Sequence, residues 1–192
     1  MSFLIRVLFL AACLAVAQSP SANTVKVESI APLVKKQFGP NFTVTATGAS
    51  AVISADFDGD GVEDAVIVAD SKDPLPDSYE FKYVVADPYN SFFGFGNPNQ
   101  TAGFNTNDPK HNHDLLVIFG AGPEAWHADT PKAKFVLINV PFDTIEIGRL
   151  MLKKAKPPIF VIRAVEAEVM ESNIYWEVKK KRWKWQPRGG VQ

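Results

Sequence analysis

Cysteine is almost missing from this chain of 192 residues: Cys13 is the only one, and it stands near the N-terminus. A disulfide framework, a thiolate zinc site and a cysteine nucleophile are thereby excluded for the folded body. Packing, hydrogen bonds and a hard metal ion remain as sources of stability. A surplus of one charge is missing too, since 20 Lys and Arg face 21 Asp and Glu. No global positive field exists to neutralise nucleic-acid phosphates, so nucleic acid is not an expected partner. No apolar run reaches the ~18 residues that span a bilayer. What is present is ordinary: 46% hydrophobic and 21% charged positions suit one globular domain with its own core.

The first 17 residues read as an export signal. Met1 to Arg6 carries one positive charge, Val7 to Leu14 is apolar, and Ala15-Val16-Ala17 places small residues where signal peptidase reads. Cleavage after Ala17 is expected, leaving a single β-rich domain over 18–192 in a secreted or periplasmic setting. Leu10-Ala11-Ala12-Cys13 also resembles a bacterial lipobox, which would make Cys13 a lipidated N-terminus instead.

Mostly strands follow one amphipathic helix. Ile30, Leu33, Val34 and Phe38 recur at helical intervals, with Lys35 and Lys36 on the other side and Gly39-Pro40 as the stop. Short β-branched and aromatic runs come next, at Phe42–Thr47, Ala51–Ala55, Ala65–Ala69, Tyr79–Ala86, Leu115–Phe119, Lys134–Val140 and Ile159–Val165. Thr144–Lys154 fits neither period cleanly and is assigned to helix. Ile174–Val178 and Arg182–Trp185 flank three lysines and read as a C-terminal hairpin with aromatic residues on both arms. The expected fold is α+β, β-rich and mostly antiparallel.

Ser54 to Ala69, SADFDGDGVEDAVIVA, carries the sharpest chemical signal. Asp56, Asp58 and Asp60 alternate, Gly61 follows, and Asp64 stands ninth counted from Asp56. Ca²⁺ takes six to eight oxygens, and this spacing offers carboxylates from positions one, three, five and nine and the Val62 carbonyl from position seven. Four carboxylates so crowded repel one another unless a cation neutralises them. The alternative is a polar Asx turn between strands. Position twelve is Ile67, inside a β-branched run, where an EF-hand would place a bidentate carboxylate and continue as a helix.

Strand, Asp loop and strand together resemble the FG-GAP or VCBS-type calcium-binding repeat found in integrin α-chain propellers and in many secreted bacterial proteins. The resemblance implies Ca²⁺ held by Asp56, Asp58, Asp60 and Asp64 through side chains and by Val62 through its carbonyl. Asp114–Gly122, DLLVIFGAG, is similar to the strand and glycine turn that follow the loop in those repeats. A closed propeller is not expected, because a single Asp loop stands in the chain with no second copy at a fixed period.

A second unusual segment, Asp87 to Asp114, sets Tyr89, Phe92, Phe93, Phe95 and Phe104 among Gly, Asn and Pro. Two readings stand: a cover whose rings cap one face of the sheet, or a platform for a glycan or an envelope protein. Alternation in an extended segment predicts Phe93 and Phe95 buried and Phe92 the more exposed ring. His111, His113 and His127 fall nearby and, with Asp114 or Asp129, define a zinc-dependent hydrolase as the alternative to a binding role. The C-terminal lysines and arginines interleaved with Trp183 and Trp185 suit either a solvated face or contact with an anionic polymer. An exported calcium-binding module that captures a ligand in the cell envelope is the reading that joins most of these features.

Overall fold

The computed structural model describes residues 27–45, 51–95, 97, 113–153, 157–166 and 170–188. The expected signal segment, Cys13, Phe104 and His111 lie outside the described residues.

Two uninterrupted apolar runs set the architecture. Ala65-Val66-Ile67-Val68-Ala69 and Leu115-Leu116-Val117-Ile118 are wholly buried, and they form the adjacent antiparallel strands β3 (Asp64–Ser71) and β5 (His113–Phe119). A strand can be apolar at every position only if both faces of its sheet are covered. Here Ala65, Ile67, Leu116 and Ile118 point into one core with helix α1 (Val27–Phe38), while Val66, Val68, Leu115 and Val117 point into another with a second sheet. The result is three layers, helix on sheet on sheet.

The central sheet has six strands. On one side of the β3–β5 pair, β1 (Phe42–Val44) and β2 (Val52–Ala55) both pair antiparallel with β3. They lie end to end along it, with Val68 bonded to Thr45 at one end and Ala51 at the other. On the other side, β6 (Ala133–Leu137) joins β5 antiparallel, and β4 (Val84–Ala86) adds to β6 in parallel. The second sheet runs β10 (Arg182–Pro187), β9 (Met170–Glu177), β8 (Ile159–Glu166), β7 (Thr144–Leu150), all antiparallel. Its inner face presents Ile145, Ile162, Ala164, Ile174, Trp183 and Trp185 to the central sheet. Among the described residues neither sheet closes into a barrel or propeller.

α1 carries its apolar stripe, Ile30, Val34 and Phe38, onto the outer core. Gly39, at φ 95°, ends it in the left-handed conformation that glycine adopts at least cost. A Cβ there would also meet the Phe81 ring at 2.7 Å.

Two sequence expectations are corrected. The segment assigned to helix over Thr144–Lys154 is strand β7 for its described N-terminal part. Ile145 and Ile147 alternate inward, and Glu146 turns out to pair with Arg163 on β8 at 2.8 Å, so cross-strand partners decide the conformation. The strand expected over Tyr79–Ala86 is instead helix α2 (Ser78–Phe81) followed by the short β4. The Pro74–Asp77 turn starts that helix, with the Ser78 hydroxyl donating to the Leu75 carbonyl, and Lys82 ends it at φ 53°. Tyr79 is consequently 94% exposed.

Candidate metal centre

The Asp loop is the connection of the β2–β3 hairpin, whose last pair sets Ala55 opposite Asp64. Gly59 and Gly61, at φ 79° and 89°, give the chain the left-handed steps that fold eight residues back so sharply. Main-chain N–H groups released by the turn then point at the carboxylates. Asp56 accepts from Gly59 (2.7 Å), Asp60 (3.0 Å) and Gly61 (2.9 Å), and Asp60 accepts from Val62 (2.8 Å).

Asp64 ties the loop to the sheet. Its Oδ2 accepts from the N–H of Phe57 (2.8 Å) and of Asp58 (3.2 Å), and its Oδ1 accepts from Gly120 at 2.9 Å, just past the end of β5. Gly120 must be glycine for this contact, because a Cβ would lie 2.3 Å from the Glu63 carbonyl oxygen. Asp64 is only 1% exposed. Burial, reinforced by the neighbouring Asp58 carboxylate, pushes its carboxyl up to about 7 against the three N–H donors, which pull it down.

One residue of the site escaped the sequence reading. Lys132, immediately before β6, donates to Asp58 Oδ2 at 2.6 Å and to Asp60 Oδ2 at 2.5 Å. Its ammonium holds the Asp60 carboxyl below the usual range, and the two carboxylates raise the lysine in turn. No local pattern in the sequence marks Lys132. It arrives because β6 pairs with β5, which pairs with β3.

The donor set fits a calcium ion by its chemistry. Asp56, Asp58 and Asp64 each offer an oxygen, and these oxygens lie within 4.8 Å of one another. Two oxygens across one Ca²⁺ at ~2.4 Å each are separated by about that distance. Four carboxylates carry about sixteen lone-pair sites, of which main-chain donors take eight and Lys132 two. Coordination capacity is therefore left over, as is negative charge, since one lysine meets four carboxylates.

The histidines do not form a second centre among the described residues. His113 opens β5, where its Nδ1 lies 2.5 Å from Asp70 Oδ1, directly opposite on β3. His127 follows the other end of β5 and stacks on Trp126 with ring centroids 3.6 Å apart.

The aromatic segment differs from its expected form. Pro88–Phe92 is a short helix, α3, capped by Asp87, whose side chain accepts from the Asn90 N–H. Helical turn replaces alternation, so the predicted division of the rings fails: Phe92 and Phe93 are each 52% exposed and Phe95 is 75% exposed. Tyr89, Phe92 and Phe93 gather instead around Trp185 of β10, with centroids 5.1, 5.0 and 6.0 Å from it. Two features that are far apart in the sequence, the aromatic segment and the basic C-terminal pair of strands, thus meet.

Comparison with known proteins returns no matching family model, no matching curated protein and no matching solved structure. No helix among the described residues is long and apolar enough to cross a membrane.

Proposed function

We propose that the chain is an exported, non-enzymatic binding module whose Asp loop is locked by a structural Ca²⁺. The observation that carries this reading is the crowding of Asp56, Asp58, Asp60 and Asp64 around one lysine, with oxygens of three of the four within 4.8 Å of one another. Asp56, Asp58 and Asp64 are the residues that would hold the ion, with Asp60 and the Val62 carbonyl completing the set, as the FG-GAP or VCBS-type resemblance implies. The ion would supply charge neutralisation and a rigid link between the hairpin and the end of β5. Export rests on residues 1–17, and N-terminal sequencing of secreted protein is expected to begin at Gln18.

A hydrolase built on His111, His113 and His127 has less support, because His113 and His127 stand at opposite ends of β5. The test is thermal unfolding with calcium, magnesium or EDTA. Ca²⁺ at 100 times its dissociation constant should add about 2.7 kcal/mol of stability. Mg²⁺ should add much less, since it demands a compact octahedron and dehydrates reluctantly. Identical melting temperatures in calcium and in EDTA would refute the metal reading.

A further inference from the structure

We propose that the cleft between β4–α3 and β10 is a binding site for an acidic saccharide. The proposal rests on the reading of the chain as a binding module and is independent of the metal.

The cleft, about 340 Å³, opens where an edge strand of each sheet comes to the surface: β4 from the central sheet and β10 from the outer one. Its walls are aromatic, with Phe92, Phe135, Trp176 and Trp185 among them. Lys181, Arg182 and Lys184 stand in the same lining. Arg182 is already held by Glu177 at 2.9 Å. Lys181 and Lys184 have no carboxylate partner among the described residues. The single acidic residue in the lining, Asp87, is buried and accepts from the Asn90 N–H and from the side chains of Asn90 and Asn139. Lys181 and Lys184 therefore line the cleft without an ion pair of their own among the described residues, and with Arg182 they outnumber its one carboxylate.

Trp183 and Trp185 belong to the core between the sheets, and their indole N–H groups are buried there, without an acceptor among the described residues and out of reach of a molecule in the cleft. Next to them, Phe92 and Phe93 keep half their surface in water, although an apolar core lies beside them.

Each simpler ligand leaves part of this lining unused. An apolar molecule leaves the two lysines without partners. A small inorganic anion leaves the aromatic walls without contact. An added peptide strand finds only three residues of β4 to pair with, while α3 packs on β10. A saccharide with a carboxylate uses both halves of the lining: C–H faces against the rings and the carboxylate at Lys181 and Lys184. Rings of that size suit a cleft at the small end of ligand sites.

The test is a titration of the full secreted chain, followed by tryptophan fluorescence, in calcium and again in EDTA. A hyaluronan tetrasaccharide, which alternates glucuronate with N-acetylglucosamine, is the probe. Chitotetraose supplies the neutral saccharide and tetraglutamate the acidic peptide. Saturable binding of the hyaluronan fragment, weakened by salt and by about tenfold in the double variant Lys181→Asn, Lys184→Gln, is expected. Phe92→Ala should weaken it as well while the melting temperature stays near that of the parent. Absence of hyaluronan binding, equal or tighter binding of chitotetraose or tetraglutamate, or full affinity in the double lysine variant would overturn the proposal. Binding that persists in EDTA, in a protein whose stability ignores calcium, would remove the metal reading and leave the cleft intact.

Discussion

The β3–β5 strand pair ends in a buried carboxylate at each extremity, and the two are held in different ways. Asp64, at the loop end, receives three main-chain N–H groups, from Phe57, Asp58 and Gly120. Asp114, at the far end, receives one hydroxyl, from Ser71 at 2.5 Å, while its neighbour Asp70 turns to His113. Burial pushes both carboxyls up to about 7. The surroundings then separate them. Around Asp64 stand three further carboxylates and a single lysine; beside Asp114 stands one further carboxylate, Asp70, in contact with the His113 ring. Burial alone therefore does not set the Asp64 end apart. The surplus of carboxylates and the main-chain donors do.

The largest expected difference between the two ends is in stability. Asp64→Ala removes the acceptor from three main-chain donors at once and should cost about 3 to 5 kcal/mol in calcium-free protein. Asp114→Ala should cost about 1 kcal/mol, the worth of one hydroxyl hydrogen bond. Urea unfolding of the two variants in EDTA measures both, and equal losses would break the contrast.

The pH dependence sharpens it. A carboxyl whose pKa rises from 3.8 unfolded to about 7 folded binds a proton more tightly in the native state, so stability is highest at low pH and declines as pH rises from about 4 to about 7. Asp64 and Asp114 share that decline in calcium-free protein. Asp114→Asn keeps an acceptor for Ser71 and removes one titration, so the slope of unfolding free energy against pH should drop by about half. An unaltered slope would place the whole effect at the loop.

The smallest effect concerns Lys132, whose ammonium covers oxygens of Asp58 and Asp60 that the ion would need. Lys132→Ala should tighten calcium binding severalfold and change calcium-free stability by less than about 1 kcal/mol, because the side chain is half exposed. Isothermal titration with Ca²⁺ reads the first and urea unfolding the second. Weaker calcium binding in the variant would mean that the lysine orients the carboxylates rather than competing for them.

Much of the fold could be read from particular residues. The unbroken runs Ala65–Ala69 and Leu115–Phe119 announce strands, because burial on two faces leaves no polar alternation. Ile145 and Ile147 were open to misreading, since two alternating residues followed by glycine and a leucine satisfy no period, and only pairing with β8 makes them a strand. Tyr79 and Phe81 carry high β-propensity and still fall in a helical turn, because Pro74, Pro76 and Asp77 set the chain direction before them. The rings of Phe92, Phe93 and Phe95 could not be sorted by spacing once Asp87 and Pro88 had started a helix.

The nine-residue Asp loop was determined by the sequence itself, because its hydrogen bonds run between groups two to seven residues apart, where spacing and two glycines decide the geometry. Its neutralising lysine, 72 and 74 residues away, and the Gly120 donor, 56 residues away, were decided by the order of strands in the central sheet. The cleft belongs to the same category. Its β4–α3 and β9–β10 halves are separated by about half the length of the described chain, and they meet only because the two sheets pack face to face and bring β4 and β10, their edge strands, to one side.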